Sequence, residues 1–215
     1  MNSAIRWRIH SLQAMLFVIL AGAGAFALYE GTFVTNQVHD ELVAQQISFP
    51  AADQIKTGGA LDPAEFPKEI RDQAGNQVTD GNQARIYAND FIGIHLSKIA
   101  NGLTYATMGP KISALQAQQA QLSKTDPQYA ALGTQITTMQ GQRTTLLNGE
   151  MLRGTLLNSY GWWQFGTYMT YAAYALFLAA LVVLGALVFE AIAWARSTQT
   201  QKVNVPQKKA AGLTA

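Results

Sequence analysis

Apolar and polar positions divide this chain into zones. Ile9 to Tyr29 and Gly154 to Phe189 contain no Asp, Glu, Lys or Arg, and the strongly apolar part of the second run begins near Tyr168. A helix of about 20 residues crosses a hydrocarbon core of about 30 Å. Inside lipid the backbone must satisfy its own hydrogen bonds, so such runs are helical. The pattern therefore predicts transmembrane helices over 9–29 and 167–194. The remainder divides into a cytoplasmic N-terminus (1–8), an extracytoplasmic helical domain (30–166) and a cytoplasmic tail (195–215). The expected fold class is an all-α membrane protein, two transmembrane helices with an extracytoplasmic helical domain between them.

Within the middle zone the apolar period is helical. Val34, Val38 and Leu42 continue the first span outward as one stripe. Ser48-Phe49-Pro50 is expected to end it, because a residue before proline is pushed out of the helical region. Residues 51–81, with Gly58-Gly59, Gly75, Pro63 and Pro67, read as a connection with short helical turns, one near 67–74, packed over the helices. Ala84, Tyr87, Ala88, Phe91, Ile92, His95, Leu96 and Ile99 then mark an amphipathic helix from Asn82, capped by Thr79 or Asp80 and closed by Gly102. A helix over 111–124 and a restart at Asp126-Pro127 predict a helical hairpin near 111–148. Its apolar stripes are narrow, and its outer faces are rich in Gln and Thr. Residues 149–166 lead from the hairpin into the second span.

Charge orients this arrangement. The chain is 49% apolar and only 13% charged. Arg6 and Arg8 precede the first run, and Arg196, Lys202, Lys208 and Lys209 follow the second. Glu30 to Gly166 holds nine basic and twelve acidic residues. Short basic flanks belong on the cytoplasmic side, which predicts both termini inside and an acidic middle outside. No dense basic patch exists, so nucleic acid is not an expected partner. The absence of cysteine excludes disulfides and thiolate metal sites. Arg6, Arg8, the apolar stretch and Ala25-Phe26-Ala27 also fit a signal peptide with a small-x-small cleavage site. We take the segment as a retained anchor.

Small residues recur within the runs. Ala172, Ala179, Ala186 and Ala193 lie seven apart, with Ala175 at an intermediate position of the same repeat. Ala14 and Ala21 share that spacing in the first run, with Gly24 between repeats. Small residues let helix backbones approach closely in lipid, so these positions are expected to pack, against the other span or against other subunits. Trp7, Tyr29, Tyr160, Trp162, Trp163 and Trp194 flank the runs where amphipathic rings favour the headgroup layer. Expected partners are the bilayer and other membrane-protein subunits, with a homo-oligomer as a further option.

Catalytic chemistry is sparse. A metal needs three or four converging ligands. His39, Glu41, Asp90 and His95 could supply them only if two helices pack side by side, and a lone histidine on a helix is more often a packing residue. The expectation is no metal, no cofactor and no catalytic residue. No GxSxG turn, HExxH motif or phosphate-binding glycine loop is present outside the membrane runs. Glu190 stands at the edge of the second run.

Val38-His39-Asp40-Glu41-Leu42-Val43-Ala44-Gln45, Ile47-Ser48-Phe49-Pro50, Tyr87-Ala88-Asn89-Asp90-Phe91-Ile92 with His95, and Met151-Leu152-Arg153-Gly154 before Trp162-Trp163 together resemble a family of uncharacterised two-span actinobacterial membrane proteins. The resemblance covers most of the chain and leaves the glutamine-rich hairpin as an insertion. Some members carry a label as an aromatic ring-opening dioxygenase subunit, an activity that needs an iron site and a substrate pocket. What the resemblance implies is the two-span architecture and an envelope location.

The function expected from these readings is a non-catalytic structural or accessory subunit of a larger bacterial membrane complex, contacting its partners through the transmembrane helices and the outside domain. An extracytoplasmic ligand-binding or sensor module is the alternative. A metal-dependent enzyme comes third.

Overall fold

A computed structural model describes residues 3–203, with side chains from 4 to 196. Lys208 and Lys209 of the basic tail lie outside the described residues, as does the side chain of Lys202. The chain is about 80% helical, and no strand occurs among the described residues. The helices are α1 (Ser3–Gln45), α2 (Lys68–Arg71), α3 (Gly81–Ile86), α4 (Ile94–Ile99), α5 (Tyr105–Ala120) and α6 (Pro127–Val203). A 3₁₀ turn at Ala52–Gln54 and a π-helix at Tyr87–Gly93 complete the order. Two helices, α1 and α6, are long and apolar enough to cross a membrane. The residues group into two compact units, Met1–Gly31 with Tyr168–Ala215, and Thr32–Thr167.

In the first of these units α1 and α6 meet through small residues. Gly24, Ala27, Ala173 and Ala180 are buried there. A Cβ added to Gly24 would stand 3.0 Å from the Phe177 ring and 3.4 Å from the Ala173 carbonyl oxygen. The remaining apolar side chains of this unit mostly face outward, among them Leu12, Val18, Leu178, Leu181 and Phe189.

The second unit owns the core. Leu61, Ile70, Val78, Ile86 and Met108 are its largest fully buried side chains. Each removes an apolar side chain from water, a gain of about 2 kcal/mol. Leu42, Phe66, Leu96, Ile136, Leu146 and Leu156 join the same cluster. Two of the most deeply buried residues, Leu61 and Ile70, come from the irregular 51–81 segment, which packs as core rather than as a surface loop. Asp62 shapes its turn. The carboxylate accepts from the Gly58 amide at 2.7 Å and the Ala64 amide at 2.9 Å. These two bonds, aided by the Lys98 charge and opposed by burial, hold its pKa below the usual carboxylate value. Nearby, a single antiparallel bridge pairs Ser48 with Gln77, and the Val78 amide donates to the Ile47 carbonyl at 2.8 Å.

Helix ends follow the local chemistry. The outward stripe of α1 is present, with Leu42 buried and Val34 and Val38 partly so. The helix ends at Gln45, three residues before Ser48, and the next residue, Gln46, adopts a left-handed φ of 54°. Asp80 rather than Thr79 is the N-cap of α3, accepting from the Gln83 amide at 2.9 Å. Asn101 and Gly102, both left-handed, close α4, with the Gly102 amide donating to the Ser97 carbonyl at 2.9 Å. Asp126 and Pro127 start α6 as expected, the Gln128 amide donating to Asp126 Oδ1 at 2.8 Å.

Three expectations about elements need correction. The helix from Asn82 is not uniformly α, because its middle widens into the seven-residue π-helix. The helix expected over 111–124 begins at Tyr105 and ends at Ala120, opened by a capping box between Thr104 and Thr107. Pro110 lies inside it. The preceding residue is Gly109, whose missing Cβ relieves the usual clash before proline. Finally, the second arm of the hairpin does not end near 148. It continues without a break as α6 to Val203, through Gly149, Gly154 and Gly161. Along α6 the hydroxyls of Thr134, Thr137, Thr138, Thr144, Thr145 and Thr155 each donate to the carbonyl four residues earlier, at 3.0 to 3.2 Å.

The hairpin seam is thin. Met108 and Ile112 of α5 and Ile136 and Leu146 of α6 are its buried residues. Polar contacts assist. Gln119 Nε2 donates to the Tyr129 carbonyl at 2.9 Å, and the Arg143 guanidinium lies 4.0 Å over the Tyr105 ring.

Candidate functional site

The densest set of chemically distinctive side chains lies along the π-helix and α4. Tyr87, Phe91 and His95 are four residues apart, and a π-helix has wider turns than an α-helix. Their rings follow one another, Tyr87 to Phe91 at 5.0 Å and Phe91 to His95 at 4.4 Å between centroids. Phe49 packs edge-on against Tyr87 at 5.3 Å, and Phe66 faces His95 at 5.3 Å. Lys98 covers the outer side of Phe66, its ammonium 5.2 Å from the ring centre, and pairs with Glu65. Single-turn π segments frequently occur at functional sites. Here the segment lines up a wall of rings.

Charges border that wall. Arg85 pairs with Glu69. Asp90 is half-buried, and burial first, then the Glu69 charge, pushes its carboxyl pKa up, while Arg85 opposes the rise. Burial also raises the Tyr87 phenol. Arg153 reaches the π-helix from α6, Nη2 donating to Asn89 Oδ1 at 3.0 Å and Nη1 to Glu150 at 3.2 Å. Its Nε is buried without a partner among the described residues.

Both middle histidines are held by backbone carbonyls. His39 Nδ1 lies 2.8 Å from the Thr79 oxygen, and His95 Nδ1 lies 2.8 Å from the Phe91 oxygen. A carbonyl only accepts, so Nδ1 carries the proton in each. The metal candidates His39, Glu41, Asp90 and His95 are not brought together. Among the described residues no group of three His, Asp or Glu is placed to hold a metal ion. His95 instead packs in the ring wall.

The small-residue positions separate into two sets. Gly24 is buried and Ala21 partly buried, but Ala14, Ala172, Ala175, Ala179, Ala186 and Ala193 are exposed on this chain. The seven-residue spacing that is buried runs through Ala173 and Ala180, one residue along. Alanine is frequent enough in this span to draw the repeat on more than one face, and only the position of Gly24 and Phe177 selects between them.

The aromatic flanks also divide. Trp7, Tyr29 and Trp162 are exposed, and Tyr160 is half-buried. Trp163 turns inward, against Gly81. Trp194 stacks on His10 with 6.0 Å between ring centres. His10 Nδ1 lies 3.8 Å from Glu190 Oε2. The sequence reading missed this polar cluster, although a histidine and a glutamate at the ends of two paired apolar runs were its signal.

No protein-family model, no curated protein and no solved structure matches this chain.

One further feature is a groove of about 450 Å³ in the second unit, between residues 33–41 of α1 and 158–162 of α6. Its walls combine Phe33, Val38 and Trp162 with Gln37, Glu41 and Asn158.

Proposed function

We propose that this chain is a two-span membrane protein whose intervening helical domain lies outside the cytoplasm, and that it serves as a non-catalytic accessory subunit of a larger bacterial membrane complex. One observation carries the membrane part. In the most apolar stretch of each long helix, only 11% in α1 and 6% in α6 is buried within the chain. The core helix of a soluble protein buries its apolar side chains, whereas lipid leaves them no reason to hide. An N-terminal signal sequence would account for the run in α1 but not for that in α6. The basic flanks Arg6, Arg8 and Arg196 and the acidic middle support the orientation with both termini inside.

The accessory role is supported by the exposed stripe Ala172, Ala175, Ala179, Ala186 and Ala193, which the chain does not use for its own packing. The resemblance to two-span actinobacterial membrane proteins agrees with this reading. The test is purification of the tagged full-length chain in a mild detergent after in-cell crosslinking. A partner recovered at fixed stoichiometry supports the proposal. Recovery of the chain alone, across several detergents and crosslinkers, overturns it.

A further inference from the structure

The groove between α1 and α6 changes character along its length. On α1 the lining residue nearest the apolar run is Phe33 and the farthest is Glu41. On α6 the nearest is Trp162 and the farthest Asn158. The eight helical steps from Phe33 to Glu41 rise about 12 Å along the helix. Both ends toward the spans are therefore aromatic, and both ends away from them are polar. Trp162 is about half-exposed, with the Phe165 ring packed edge-on at 6.0 Å.

The polar end has a definite sign. Glu41 is the only charged side chain lining the groove. Gln37 and Asn158 add amide oxygens and amide donors. None of these three side chains makes a hydrogen bond or ion pair with another described residue, whereas His39, also on α1, is tied to Thr79. A head group whose terminal charge is negative would meet the Glu41 carboxylate and no lining cation. A quaternary ammonium carries no N–H to give to the carboxylate or to the amide oxygens. A primary ammonium supplies three donors.

We propose that this groove holds one amine-bearing phospholipid of the phosphatidylethanolamine class, its ammonium at Glu41, Gln37 and Asn158 and the start of its acyl chains against Phe33 and Trp162. The inference rests on the reading of the two apolar runs as membrane helices, because only then does the aromatic end open toward acyl chains. Amphipathic rings at that level suit the boundary between headgroup and hydrocarbon.

The test uses the full-length chain in nanodiscs holding equal parts of phosphatidylethanolamine, phosphatidylglycerol and phosphatidylcholine, with retained lipid read by native mass spectrometry. The expected result is retention of phosphatidylethanolamine about fivefold over each of the others, the scale of one partly exposed charge pair. Glu41→Gln and, independently, Asn158→Leu should each reduce that preference, and Asp40→Asn should leave it unchanged. Equal retention of the three lipids, preference for the anionic one, or a preference that survives both groove variants in folded protein overturns the proposal. Alkaline extraction of native membranes separates this failure from failure of the underlying reading. Protein that stays in the membrane without a lipid preference refutes only the groove, whereas protein released into the supernatant refutes the spans.

Discussion

Gly81 and Trp163 touch so closely that a Cβ on the glycine would stand 2.4 Å from the tryptophan Cβ and 2.6 Å from its Cγ. The first turn of α3 thus rests on the root of an indole in α6, where no rotamer change can make room. Gly81→Ala should destabilise the folded chain by about 2 kcal/mol. Thermal unfolding in detergent, followed by circular dichroism, checks it, and an unchanged midpoint would contradict this packing.

Gly24 offers a parallel case within the apolar runs. Leucine there must displace the Phe177 ring, whereas Ala179 is exposed. Gly24→Leu should therefore lower the thermal midpoint of the isolated protein by several degrees, and Ala179→Leu should not. If Ala179→Leu instead reduces recovery of a crosslinked partner, the outward stripe is the contact surface. Equal midpoints for the two variants would remove the distinction between the faces.

The Asp62 turn sets an acid limit. Its folded pKa lies below the usual carboxylate value of 3.8, chiefly because of the Gly58 and Ala64 amides. The stability it contributes is fully present above that usual value and is lost as pH falls through the lowered folded value. Asp62→Asn should weaken the protein at neutral pH and flatten the acid limb of a stability-versus-pH curve below about pH 4. Chemical denaturation at a series of pH values reads this directly.

Asp90 acts with the opposite sign. Burial and Glu69 raise its folded pKa. Its cost is absent below the usual value, grows as pH rises through the raised folded value, and is complete above it. Asp90→Asn should stabilise the protein at neutral pH by about 1 to 2 °C in thermal midpoint. No gain at pH 7 together with a loss at pH 4 would show that the carboxylate is favoured in the fold.

Much of the helical layout was legible because its signals are local. The α1 stripe Val34, Val38 and Leu42, the Asp126-Pro127 restart and the Gly102 closure are each written in a few adjacent residues. The π-helix was not legible, because Tyr87, Phe91 and His95 keep a spacing of four that suits an α-helix as well. Its widening comes with packing against Phe49 and Phe66, which are distant in sequence. The unbroken course of α6 was not legible, because residues 149–166 carry no signal beyond a lead from the hairpin into the second span. The packing face of the second span was displaced by one residue for a similar reason. Periodicity names a repeat, but the neighbour at Gly24 chooses the face. At the candidate site the sequence supplied His39, Glu41, Asp90 and His95 singly. Thr79 and Phe66, which decide how the two histidines are held, lie far away along the chain.

The threonines of α6 have an effect on how that helix meets its surroundings. Each hydroxyl that donates to its own helix carbonyl has spent its one donor inward and leaves its methyl group as the outermost part of the side chain. Residues 134–145, which composition counts as a polar stretch, therefore present a more oily skin than their formula suggests. A surface of that kind sheds water readily when another apolar surface arrives, and Arg143, the charged side chain within it, is already turned onto the Tyr105 ring.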